Sequence, residues 1–228
     1  MELNEQGSLV SFGPFSDNAS YVTSKINFFL RLIGIREMYA ERPVDAYLIH
    51  RHLADTLVPM LDHTPQTSFY LKHMDDKGDH ILFDDNFNIT AIIDWEWAQT
   101  RSKADAFAAP LLLLDVGALY DGDNTLSPDE MALVEIYEGK ARPDMAFFVR
   151  NGRIQHRIAL CIGGYLEDDA FHSLFEGFLK LQERPITWEE WRSETMEKYD
   201  ADEDDPIHLI EEEKGRRETR SAWSLKSL

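Results

Sequence analysis

Between Phe69 and Ala98 the chain reads as a short hairpin with acids at its open end. Ile81-Leu82-Phe83 and Ile89 to Ile93 are runs of branched and aromatic residues. Such side chains favour strands because they pack well on a pleated surface. Between the runs lies Asp84-Asp85-Asn86-Phe87-Asn88, whose Asp and Asn side chains bond their own backbone in turns. One strand therefore leads away from a loop holding His73 and Asp75, and the next returns and ends at Asp94. This order predicts that Asp75 and Asp94 share one end of a two-stranded ribbon. Two carboxylates converging at strand ends can hold a hard cation through oxygen.

Around the ribbon the pattern is helical. Asp17 or Asn18 caps a helix to about Ile33, with Val22, Ile26, Phe29, Leu30 and Ile33 at helical spacing and Gly34 as the stop. Met1 to Ser16 reads as an extended leader. Pro43 opens a second helix with Val44, Tyr47, Leu48, Leu57 and Leu61 inward. The apolar segment Ala104 to Tyr120 is expected to be helical, with Pro110 at a turn or kink. Ser127-Pro128-Asp129-Glu130 is a capping box, and Gly139 ends the helix it starts. One long helix or a pair is expected from Asp144 to Leu181, broken or closely packed at Gly163 and Gly164. Thr187-Trp188-Glu189-Glu190 is a further helix start. Trp188 and Trp191 are expected to pack rather than to cage a ligand, and His156 and Arg157 to make an internal salt link.

Charge narrows the partners. The 228 residues carry a net charge of −19, which argues against nucleic acid, whose phosphates need clustered Lys and Arg. It equally disfavours an anionic membrane surface. No apolar run reaches the roughly 18 residues a membrane helix needs, and the polar, acidic start lacks the features of a signal peptide. A cytoplasmic protein is the expectation. The single cysteine, Cys161, lies in an apolar run and is expected to be buried.

The loop itself carries a pattern. Kinase-type phosphotransferases read H-x-D-x-x-x-x-N and later an Asp that grips metal. His73 and Asp75 fill the first two places, His80 stands at the Asn place, and Asp94 follows Ala91-Ile92-Ile93 as the metal Asp should. Imidazole is a borderline ligand where Mg²⁺ prefers oxygen, so His80 can serve as a ligand or can hydrogen-bond to Asp75 or Asp94. The segments His73-Met74-Asp75-Asp76-Lys77-Gly78-Asp79-His80-Ile81-Leu82 and Asn88 to Trp95 resemble the catalytic and metal loops of the aminoglycoside phosphotransferase and choline kinase-like superfamily, and most of all a fungal branch of it. Gly13-Pro14-Phe15, Arg42 to Tyr47, Leu126 to Glu130 and His156-Arg157 are similar to that branch in the same order, over roughly residues 8 to 180.

The resemblance implies a mainly α (α+β) chain. Residues 1–198 would form the C-terminal lobe of a protein kinase-like fold, helical with a short β-hairpin carrying the catalytic and metal loops. Residues 199–228 would be a charged, flexible tail. It implies ATP and Mg²⁺ as cofactors and phosphoryl transfer to a small-molecule hydroxyl. Asp75 would occupy the base position, His73 would brace the loop beneath the metal Asp, and Asp94, with His80 beside it, would stand at the metal. The nucleotide lobe is expected to be missing. Gly7 and Gly13 are not a G-x-G-x-x-G pattern, and the first lysine, Lys25, lies in helical sequence. Three readings follow: an enzyme completed by a partner chain, a non-catalytic pseudokinase-like relic or binding module, or a product whose upstream lobe belongs to a longer gene.

Overall fold

The computed structural model describes residues 2–3, 9–10, 12–39, 42–61, 67–162 and 171–200. The chain is mainly helical, with three small two-stranded sheets among these residues. It divides into two compact units, 1–25 with 57–114 and 127–152, and 26–56 with 115–126 and 153–228.

The first unit holds all the strands among the described residues. β1 (Glu2–Leu3) pairs antiparallel with β2 (Leu9–Val10), where the sequence suggests an extended leader. Helix α1 (Asn18–Gly34) begins in this unit, and its cap is the expected one: the Asp17 carboxylate accepts the Ser20 amide at 2.7 Å. β3 (Tyr70–Lys72) pairs with a strand the sequence does not announce, β6 (Gln99–Arg101), opposing Tyr70 to Arg101 and Lys72 to Gln99. Asp105, on the short helix α3 (Lys103–Ala106), ties these strands down. Lys72 Nζ donates to its backbone oxygen at 2.8 Å, and Arg101 Nη1 lies 3.3 Å from its Oδ2. The expected hairpin is present as β4 (Ile81–Phe83) and β5 (Ile89–Ile92), with a register shift beside Phe83. Its turn is held by Asp84, which accepts the Asn86 and Asn88 amides.

The segment Ala104 to Tyr120, expected to be helical with Pro110 at a turn or kink, is three pieces. α3 is followed by a 3₁₀ turn at Leu111–Leu113 and by α4 (Val116–Tyr120), which belongs to the second unit. The reason is competition for backbone bonds. Asp76 takes the Leu111 amide on its carboxylate at 2.8 Å and the Leu112 amide on its backbone oxygen at 3.0 Å, and Pro110 cannot donate.

Helix α5 (Pro128–Gly139) starts at the expected capping box, with Ser127 and Glu130 satisfying each other's amides at 3.0 and 2.8 Å. It packs on α6 (Pro143–Arg150), burying Val134, Ala146 and Val149 with Ala109. The long helix or pair expected from Asp144 to Leu181 is α6, then α7 (Arg153–Cys161) and α8 (Phe171–Leu181). The first break is at Gly152. A Cβ there would meet Phe148 O at 2.9 Å and Ala108 Cβ at 3.0 Å, so only glycine allows the approach. Gly163 and Gly164 lie outside the described residues.

The second unit is helical. Here α2 (Pro43–Thr56) buries Val44, Tyr47, Leu48 and, less obviously from sequence, His50 and His52. α9 (Trp188–Asp200) begins at Thr187, whose amide is taken by Glu190 at 3.0 Å. Trp188 and Trp191 are buried, and Trp191 packs 4.5 Å from the Phe175 ring. Tyr199 is buried in α9, and 201–228 of the expected tail lies outside the described residues.

Arg157 departs from expectation. Among the described residues it makes no ion pair. Its guanidinium is fully buried and donates to the backbone oxygens of Leu119, Asp123 and Leu174 and to Asn124 Oδ1. His156 Nδ1 instead lies 3.3 Å from Arg153. Cys161 is buried as expected, and burial pushes its thiol up to about 12.

Candidate functional site

The site lies in the first unit, where β3 delivers His73 and β5 ends before Asp94. His73 is the first residue off β3, and its ring is buried. A carbonyl oxygen only accepts, so His73 Nε2 carries the proton and donates to Ile93 O at 2.9 Å. From the other side, the Ile93 amide donates to His80 O at 3.0 Å. The two imidazoles stack, with centroids 4.0 Å apart and planes 18° apart, and Trp95 meets His73 edge-on at 5.1 Å. Ile93 is thus held at both backbone groups by the two histidines of the loop.

What Ile93 fixes is the residue after it. Asp94 adopts the left-handed conformation, φ 60° and ψ 42°, and its side chain makes no cap bond to the 3₁₀ turn Trp95–Trp97. Asp is one of the few non-glycine residues that visits this region without large cost. Trp95 Nε1 donates back to Ile92 O at 2.8 Å, closing the reversal. The Asp94 carboxylate is exposed and takes no hydrogen bond or ion pair from the described residues.

Asp75 stands in the loop after His73 and pairs with Lys77 at 3.1 Å; Lys77 also reaches Asp79 at 3.6 Å. These carboxylates hold the Lys77 ammonium above its usual range. Gly78 supplies a φ of +101° at the turn into β4. Asp76 is structural, through Leu111 and Leu112.

The structure therefore brings His73, His80 and the backbone of Asp94 together, and keeps Asp75 on the same loop. The hydrogen bond expected from His80 to Asp75 or Asp94 is not formed, because its ring lies flat on His73. Its Nδ1 and that of His73 are buried without hydrogen-bond partners. Among the described residues no group of three or more His, Cys, Asp or Glu side chains is arranged to hold a metal ion. The donor chemistry still fits a weakly held Mg²⁺, which uses one or two carboxylates and keeps water and phosphate oxygens for the rest. Asp94 offers such a carboxylate.

Sequence reasoning missed the hold on Ile93, because a histidine bonding a backbone oxygen twenty residues on leaves no local trace. It also missed Asp76 as a loop anchor and the β3–β6 pairing. Comparison with protein-family models, curated proteins and solved structures found no match for the chain. No helix among the described residues is long and apolar enough to cross a membrane.

Proposed function

We propose that this chain carries the acceptor side of a phosphoryl-transfer site of the aminoglycoside phosphotransferase and choline kinase-like type. The observation that supports it is the double hold on Ile93, which couples the His73–His80 loop to the reversal that presents Asp94. Catalysis of this kind rests on positioning and charge neutralisation rather than covalent chemistry, so rigid placement of a free carboxylate is what it needs.

In this reading the hydroxyl oxygen of a small molecule attacks the γ-phosphorus of ATP. The bond to the β,γ-bridging oxygen breaks and ADP leaves with that electron pair. Asp75 orients the hydroxyl and accepts its proton. Its pairing with Lys77 is solvent-exposed and therefore weak, so a substrate hydroxyl displaces it at little cost. Mg²⁺, held by Asp94 with His80 at the neighbouring position, would neutralise phosphate charge. His73 positions and does not touch substrate. The α- and β-phosphates need donors beyond these residues, which the reading assigns to a partner chain.

The second reading is a binding module without chemistry, favoured by the exposed apolar ribbon described below. Transfer of radiolabelled phosphate from ATP to a panel of aminoglycosides, choline and other small alcohols separates the two. The assay takes the 228-residue chain alone and the form isolated with its native associates. Turnover in either, lost in both Asp75→Asn and Asp94→Asn, supports the enzyme. Turnover that survives both substitutions overturns this assignment, and background in both arms leaves the binding module.

A further inference from the structure

The β4–β5 ribbon turns an apolar stripe to solvent. Its register pairs Phe83 with Ile89 and Ile81 with Ile92, so these side chains share one face. Phe83 is 55% exposed, Ile89 60%, and Phe87 at the tip 87%. At the base the stripe continues through exposed Ile92 to Trp95, whose indole is bonded to Ile92 O. Among the described residues β4 and β5 pair with no other strand, so the ribbon edges are open to a further strand except where Ile92 O is taken by the Trp95 indole and the Ile81 amide by Gly78 O. A two-stranded ribbon is marginal in water, and an open apolar strand is a template for another segment.

Charge identifies the occupant. Asp84 and Asp85 stand at the tip, Asp94 and Glu96 at the base, and no Lys or Arg lies between Phe83 and Trp97. Asp84 stays ionised, because the Asn88 and Asn86 groups it accepts hold its carboxyl below the usual range. We infer that this stripe is the docking surface for an extended segment of another protein that carries apolar residues between flanking Lys or Arg side chains, adding to the open edge of the ribbon. Strands of this length separate the two acidic ends by about 10–13 Å, the span of about four extended residues. The partner therefore places its basic groups about four residues apart, with alternating apolar residues between them. A second copy of this chain is disfavoured, since two such faces would set carboxylates against carboxylates. The inference does not depend on phosphoryl transfer, and its test reads binding alone.

The probe is a synthetic peptide of alternating valine and threonine bounded by lysines four residues apart, with a glutamate-bounded peptide as control. Titration calorimetry is run on the full chain, on Phe83→Ser and on Ile89→Ser. Both positions are exposed, and circular dichroism verifies that each variant is folded. The expected result is binding of the lysine peptide that weakens with added salt, falls at least tenfold in either variant, and is absent for the glutamate peptide. Equal binding of both peptides, no binding of the lysine peptide, or sedimentation showing that the chain self-associates through Phe83 would overturn the inference.

Discussion

Gly177 leaves the space that the Arg157 guanidinium fills: a Cβ at Gly177 would stand 2.5 Å from Arg157 Cζ and Nη2. The same glycine's backbone oxygen accepts Asn124 Nδ2 at 2.8 Å, and Asn124 Oδ1 accepts Arg157 Nε at 2.9 Å. Helix α8, the loop after α4 and the buried cation are thus fitted as one piece. Among the described residues no carboxylate is bonded to the guanidinium; backbone dipoles stabilise it, and burial pulls its pKa down to about 10.

Gly177→Ala is expected to destabilise the fold by about 2–3 kcal/mol, because the guanidinium is bonded on several sides and cannot retreat. Arg157→Ala is expected to cost about 3–5 kcal/mol by leaving buried carbonyls unpaired. Urea unfolding followed by circular dichroism measures both. The double variant carries the decisive sign: the Gly177→Ala penalty shrinks once Arg157 is gone. Additive penalties would refute the fitted arrangement.

Acid should loosen the second unit through His52. Burial between Trp191 and Phe175 lowers its pKa from 6.5 to about 4, against the hydrogen bond its Nε2 donates to Gln182 Oε1, which raises it. The folded state therefore favours the neutral ring, while the unfolded chain protonates near 6.5. Stability is intact above pH 6.5 and falls as pH drops toward 4, by about 3 kcal/mol in all. His52→Phe removes that term. Its stability at pH 7 is lower, because Trp191 and Gln182 lose a partner, but its slope between pH 6.5 and 4 is shallower than that of the parent. Parallel slopes would exclude His52 as the source.

At Asp94 conformation and chemistry can be separated. Asp94→Asn and Asp94→Gly both tolerate the left-handed backbone, so their melting temperatures should stay near that of the parent. Asp94→Val should cost about 1–2 kcal/mol, because a branched Cβ crowds the carbonyl at positive φ. Scanning calorimetry orders the three. Any phosphotransfer lost in Asp94→Asn is then a loss of carboxylate charge and not of fold.

His73→Phe keeps a ring on His80 but frees Ile93 O, and is expected to cost about 1–2 kcal/mol. Hydrogen exchange gives the sharper readout. The amides of Ile93 to Trp95 should lose protection while those of α5 and α6 keep theirs. Unchanged protection would show that the hairpin alone fixes the reversal.

Magnesium without nucleotide should bind weakly to the parent chain and more weakly to Asp94→Asn, as titration calorimetry would record. Tight binding in the absence of ATP would contradict a site that shares its ligands with phosphate.

Local rules account for what was legible beforehand. The Asp17 cap, the Ser127–Glu130 box, the Thr187 start and the β4–β5 hairpin each depend on residues within a turn or two of one another, so composition and spacing suffice. Local reasoning failed where a distant group outbid the local one. Asp76 captured the amides of Leu111 and Leu112, and the turn expected at Pro110 became a longer break in the helical run. Arg157 found four oxygens from residues 17 to 38 positions away, none of them the expected salt partner. His73 found Ile93 O, and His80 was stacked rather than bonded. Helix caps and turns are encoded by neighbours along the chain. Which buried donor meets which acceptor is decided only when packing removes water and each polar group must take the partner that the fold brings within reach.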